Sequence, residues 1–108
     1  MSGTVSMHDY VQNRPAPDAE VLVDLREPYL YAFGTVPGAV NIPLDALGQL
    51  YRLPKNRTIY VFCQSGEASV EIAELLDDAG YTAYHLSGGY REYLLEHLQT
   101  PDETEEHA

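Results

Sequence analysis

Two short, unbroken apolar runs constrain this fold most: Val21-Leu22-Val23, closed by Asp24, and Thr58-Ile59-Tyr60-Val61-Phe62. A strand wetted on one face alternates apolar with polar residues. A run without alternation belongs to a strand covered on both faces, as in a parallel sheet. Helical patterns separate the runs. Ser6 reads as the N-cap of a first helix from Met7 to about Asn13, which Pro15 and Pro17 end. Glu27 to Phe33 forms a second, with Pro28 in its first turn and Gly34 as its stop. Pro37-Gly38 turns into a short strand at Ala39-Val40-Asn41, and Pro43 to Leu50 reads as another helix.

After the second run, Ala68, Ile72, Leu75, Leu76 and Ala79 share one helical face, and Gly80 supplies the stop. Thr82 to His85 is a short strand, and Ser87-Gly88-Gly89 leads into a last helix. That helix carries Tyr90, Tyr93, Leu94, His97 and Leu98 on one stripe. Strands separated by helices imply βα units, right-handed crossovers and a mostly parallel sheet covered on both sides. The fold class is α/β.

With 108 residues the chain has one core, so residues 1–99 read as a single domain. Residues 100–108 have no apolar anchor and read as a frayed, disordered acidic tail. Seventeen acidic residues against six basic ones leave a net charge of −11, which disfavours nucleic-acid and anionic-membrane partners. The four histidines show no metal-ligand spacing, so neither a metal nor another cofactor is expected. No run reaches membrane-spanning length and the N-terminus lacks an apolar signal core, so a cytoplasmic protein is expected.

Cys63 is the only cysteine, which rules out a disulfide framework within the chain. It ends the second apolar run and opens the short loop Gln64-Ser65-Gly66-Glu67, with a helix starting around Ala68-Ser69. Loop N–H groups and the helix N-terminus in that arrangement favour thiolate over thiol and form an anion cradle. The competing reading is a small buried hydrophobe closing a strand. In open α/β sheets ligands bind beyond the C-terminal strand edge, where Cys63 lies, and this favours a functional thiol.

Several segments together resemble a single-domain rhodanese. Asp24-Leu25-Arg26-Glu27-Pro28 and Gly34-Thr35-Val36-Pro37-Gly38-Ala39-Val40-Asn41-Ile42-Pro43 resemble its entry half. Cys63-Gln64-Ser65-Gly66-Glu67-Ala68-Ser69 looks like its active-site loop, in the form C-x-S-G-x-x-S. Leu75-Leu76, Ala79-Gly80-Tyr81, Leu86-Ser87-Gly88-Gly89 and the aromatic Tyr93 complete the order. The resemblance spans about Val21 to Leu98. It implies a five-stranded parallel sheet with helices on both faces, and sulfur transfer through a persulfide on Cys63.

A small sulfur donor (thiosulfate or another persulfide) and a thiol, cyanide or protein acceptor are the partners that the resemblance implies. The oligomeric state stays open. Gln64, Ser65, Gly66, Glu67, Ala68 and Ser69 form the substrate and persulfide loop. Gly66 permits backbone angles that a side chain resists. Ser69 reads equally as a hydroxyl donor to the sulfur or as an ordinary first-turn serine. Asp24 and Arg26 read as a structural pair at the strand edge, with attraction of the donor anion as the second reading. Thr35, where the family often has histidine, reads as structural.

The departures matter as much. Family members often carry an arginine just after the cysteine and another just before the last serine, positions held here by Gln64 and Ala68. The loop adds an acid, Glu67. A unit charge about 6 Å away is worth roughly 1 to 3 kcal/mol, so a dianionic donor such as thiosulfate is bound less well. A catalytically weak rhodanese module that binds a protein partner is therefore the alternative function. A phosphatase or arsenate reductase of related fold is a third reading, strongly disfavoured because no Arg or Lys occurs between Cys63 and Ser69 to hold the oxyanion. His85 reads as a packed or surface histidine rather than a base. Tyr29, Tyr31 and Phe33 read as core residues first and as the lining of a substrate mouth second.

Overall fold

The two apolar runs become neighbouring central strands of a five-stranded, all-parallel sheet in a computed structural model that describes residues 2–105. In chain order the elements are β1 (Gly3–Ser6), α1 (Met7–Gln12), β2 (Glu20–Asp24), α2 (Pro28–Phe33) and β3 (Val40–Asn41). A 3-10 segment (Leu44–Arg52), β4 (Thr58–Phe62), α3 (Ala68–Asp78), β5 (Ala83–Ser87) and α4 (Gly89–Glu105) follow. The strand order is β1-β5-β4-β2-β3. Val21 pairs with Ile59 and Val23 with Val61, so the runs lie in register.

Each run feeds both sides of the sheet. From β4, Ile59 and Val61 enter one apolar cluster with Val23, Ile72, Leu76 and Ala83. Phe62 enters the other, with Met7, Tyr10, Leu22, Leu86 and Tyr90. Burial on both faces is what the lack of alternation requires. Ser6 caps α1, its hydroxyl accepting from Asp9 N–H at 3.0 Å.

Four details differ from the sequence expectations. β1 carries no apolar run and escapes pattern reading; backbone pairing with β5 holds it at the sheet edge. Between Pro43 and Leu50 there is no single α-helix: the segment is 3-10 and leaves helical geometry at Ala46, near the helix-weakening Gly48. On α3 the buried face is Ser69, Ile72, Ala73 and Leu76, while Leu75 is exposed. On α4, Tyr90 and Tyr93 are buried and Leu94 and Leu98 are not.

The α4 backbone keeps its helical course to Glu105, into the segment read as a tail, as its glutamates allow. Residues 106–108 lie outside the described residues. Among the described residues, no helix is long and apolar enough to cross a membrane, and no cluster of His, Cys, Asp and Glu is arranged to hold a metal ion.

Candidate active site

β4 delivers Cys63 to the C-terminal edge of the sheet, one residue past Phe62 and beside the end of β2. Leu25 N–H donates to the Phe62 carbonyl at 2.9 Å and anchors that edge. Cys63 is buried, 7% exposed. Its loop is clamped from below by the start of α4, where Tyr90 N–H donates to the Cys63 carbonyl (2.9 Å) and Arg91 N–H to the Gln64 carbonyl (3.0 Å). Gly89 makes this approach possible. Its φ is +61°, and a β-carbon there would fall 2.5 Å from the Cys63 carbonyl oxygen.

Above the clamp the loop folds back over the sulfur. Gly66, at φ +100°, donates its N–H to Cys63 Sγ at 3.2 Å. A hydrogen bond from a fixed N–H stabilises an anionic sulfur more than a neutral thiol. The Ser69 hydroxyl, fully buried at the start of α3, lies 3.7 Å from Sγ. It is not an ordinary exposed first-turn serine. Gln64, Ser65 and Glu67 are exposed, and Ala68 is half-buried.

His85 completes the chain of contacts. It is buried on β5, with Nδ1 3.3 Å from Ser69 Oγ. Burial pushes its imidazole below the ordinary histidine range, which favours the neutral ring near neutral pH. The sequence reading of a packed histidine agrees with this burial, but did not foresee the contact with Ser69. The available signal was its parity with Ala83 on a short strand leading to the glycine pair, which sets it on the α3 face.

Asp24 and Arg26 lie beside the site as a closed unit. The fully buried Asp24 carboxylate accepts from Arg26 N–H, Nε and Nη2 and from the Thr35 hydroxyl (2.7 Å). Arg26 Nη2 also donates to the Gly34 carbonyl at 2.6 Å, and its guanidinium covers the Tyr90 ring at 3.9 Å. Thr35 is thus structural, and the arginine's donors are largely committed within the protein.

Cys63 and Gln64 open onto a cavity of about 650 Å³ rimmed by Arg26, Glu27, Tyr29, Leu44 and Asp45. Tyr29 and Phe33 are 59% and 88% exposed, so neither is a core residue. Helix α2 has no buried residue; it lies on the surface beside the mouth. Tyr31 is half-buried and donates its hydroxyl to the Ala39 carbonyl at 2.8 Å.

A family model described as the rhodanese-like domain matches residues 7–96. The chain belongs to that family. The rhodanese-like chain is 35% identical over 80 residues to the thiosulfate sulfurtransferase PspE of Escherichia coli, covering 71% of this chain and 77% of that one. It is 36% identical over 80 residues to a tRNA sulfurtransferase of Pyrobaculum aerophilum, covering 73% of this chain but only 16% of that protein.

Among solved structures, a rhodanese-related protein of Thermoplasma volcanium superposes with a TM-score of 0.75 at 26% identity, covering 86% of this chain and 91% of the other. The human single-domain sulfurtransferase TSTD1 gives 0.67 at 27% identity, covering 84% and 94%. The expected five-stranded parallel α/β architecture is the one these structures share.

Proposed function

We propose that this rhodanese-like domain is a sulfurtransferase that carries a sulfane sulfur as a persulfide on Cys63. The observation that carries the reading is the thiol at the strand edge, 3.2 Å from the Gly66 N–H and 3.7 Å from the Ser69 hydroxyl, opening on a cavity. The sulfurtransferase relatives support the same chemistry.

In the first half-reaction the Cys63 thiolate attacks the outer sulfur of a donor. With thiosulfate, the S–S bond breaks, sulfite leaves with the bonding pair, and Cys63-S-S⁻ remains. In the second, an acceptor thiolate (or cyanide, or a protein thiol) attacks the outer sulfur and Cys63 thiolate departs. Both states place negative charge where the Gly66 N–H and Ser69 hydroxyl converge, the arrangement that lowers barriers around developing anions. The loop lacks cations and Glu67 adds an anion, so a thiol-borne persulfide suits the site better than dianionic thiosulfate.

A weakly catalytic module that docks a protein partner is the second reading. It is favoured by the same loop departures and by exposed Tyr29 and Leu44 at the mouth. Intact-mass measurement after incubation with thiosulfate and with a low-molecular-weight thiol persulfide separates the two. The wild type is expected to gain the mass of one sulfur atom, most readily from the persulfide, and to lose it to an added thiol. Cys63→Ser, nearly isosteric, is expected to fold and gain none. Sulfur on the serine variant, or none on the wild type from any donor, overturns the sulfurtransferase reading.

A further inference from the structure

The hydrogen-bonded chain behind the sulfur has a direction that the chemistry imposes. A thiolate or persulfide anion only accepts hydrogen bonds. The Ser69 hydroxyl can stabilise it only by donating its single hydrogen across the 3.7 Å to Sγ. A lone pair of Ser69 Oγ then faces His85 Nδ1 at 3.3 Å, and that contact is a bond only if the ring nitrogen carries the hydrogen. With a thiol the chain runs the other way: S–H to Ser69, and Ser69 O–H to a bare Nδ1. Which tautomer His85 holds therefore decides whether the serine hydrogen serves the anion or turns from it.

We propose that His85 is a positioning residue for sulfur transfer: its Nδ1–H holds the Ser69 hydroxyl so that the hydroxyl hydrogen points at the Cys63 sulfur whenever that sulfur is charged. The inference rests on the sulfurtransferase reading for its purpose, but its geometry belongs to the folded protein alone. Cys63, Ser69 and His85 are all buried, so the chain is shielded from competing solvent. Thr4 of β1 and Val61 of β4 stand beside His85 in register, and Ser69 approaches from α3; none is charged. The charged groups nearer the sulfur are the exposed Glu67 on its loop and Arg26, Glu27 and Asp45, which line the cavity with Cys63.

The test compares alkylation of Cys63 by iodoacetamide near neutral pH in the full chain. His85→Leu and Ser69→Ala are each expected to slow alkylation about fivefold, the worth of one net hydrogen bond. The double variant is expected to be no slower than Ser69→Ala, since the histidine acts through the serine. His85→Asn places an amide N–H where Nδ1 stands and is expected to stay within about twofold of wild type. Wild-type rates in His85→Leu, multiplied effects in the double variant, or an asparagine variant as slow as the leucine one overturn the proposal.

A second measurement needs no substitution. Nitrogen-15 spectra of the wild-type imidazole at about pH 9.5, above the ordinary thiol range, are expected to show the hydrogen on Nδ1. A hydrogen on Nε2 overturns the proposal. Failure of the sulfurtransferase reading shows separately, as a wild type that gains no sulfur, and leaves the alkylation and tautomer results standing.

Discussion

Arg26 is spent on Asp24: its Nη2 lies 2.8 Å from Oδ2, and both side chains are almost wholly removed from solvent. A charge buried with its partner is inexpensive only while the partner remains. Arg26→Met is therefore expected to destabilise the domain by about 3 to 5 kcal/mol, by leaving the Asp24 carboxylate uncompensated. Urea denaturation measures this. Asp24→Asn combined with Arg26→Met is expected to recover part of the loss. If Arg26→Met keeps full stability and only weakens capture of an anionic donor, the pair serves the donor rather than the fold.

The loop's charge offers a second test. Glu67 has an exposed side chain and makes no capping hydrogen bond at the start of α3, so replacing it costs little stability. Glu67→Gln with Ala68→Arg adds two positive units near Cys63. It is expected to raise kcat/KM for thiosulfate by on the order of tenfold at low ionic strength. The gain should shrink with added salt, which screens exposed charges over about 8 Å at physiological strength, and should be smaller for a thiol-borne donor. Equal gains on every donor at every salt concentration would show that charge is not what limits the loop.

Gly89 holds the loop from beneath. Gly89→Ala meets the Cys63 and Gln64 carbonyl oxygens at 2.5 and 2.7 Å and must also adopt a left-handed φ. The backbone conformation alone costs about 1–2 kcal/mol. The substitution is expected to lower the denaturation midpoint and to cut sulfur loading, because the Tyr90 N–H bond to the Cys63 carbonyl cannot keep its length. Unchanged loading and stability in this variant would mean that the clamp yields freely.

Histidine burial predicts an acid-side loss of stability. His85 is shifted below its ordinary value, so between the folded and unfolded pKa values the unfolded chain binds more protons. The native state is not penalised above about pH 6.5 and loses stability as pH falls below it. His8, raised mainly by its hydrogen bond to Glu96, works in the opposite direction but is common to both proteins compared. Denaturation midpoints of the wild type should therefore fall more steeply than those of His85→Asn below that pH. Parallel curves would show that the imidazole protonates in place without cost.

The central strands, the thiol-bearing loop and its glycine are written in contiguous residues. Thr58 to Phe62 must be covered on both faces because it has no polar alternate, and Cys63-Gln64-Ser65-Gly66 follows without a break. Such features depend on local periodicity and backbone freedom, which any reader of the chain can apply. What surrounds the sulfur is decided elsewhere. His85 meets Ser69 across sixteen residues because β5 pairs with β4 and carries its α3-facing side chain to the buried start of that helix. Gly89 meets the Cys63 carbonyl because α4 starts where β5 ends, at the same sheet edge as the loop. β1 is recruited to the sheet edge by backbone pairing with β5, and Tyr29 and Phe33 face solvent because α2 turns Tyr31, not them, toward the core. None of these contacts can be read from either segment alone, because each depends on which residues the strand order brings together.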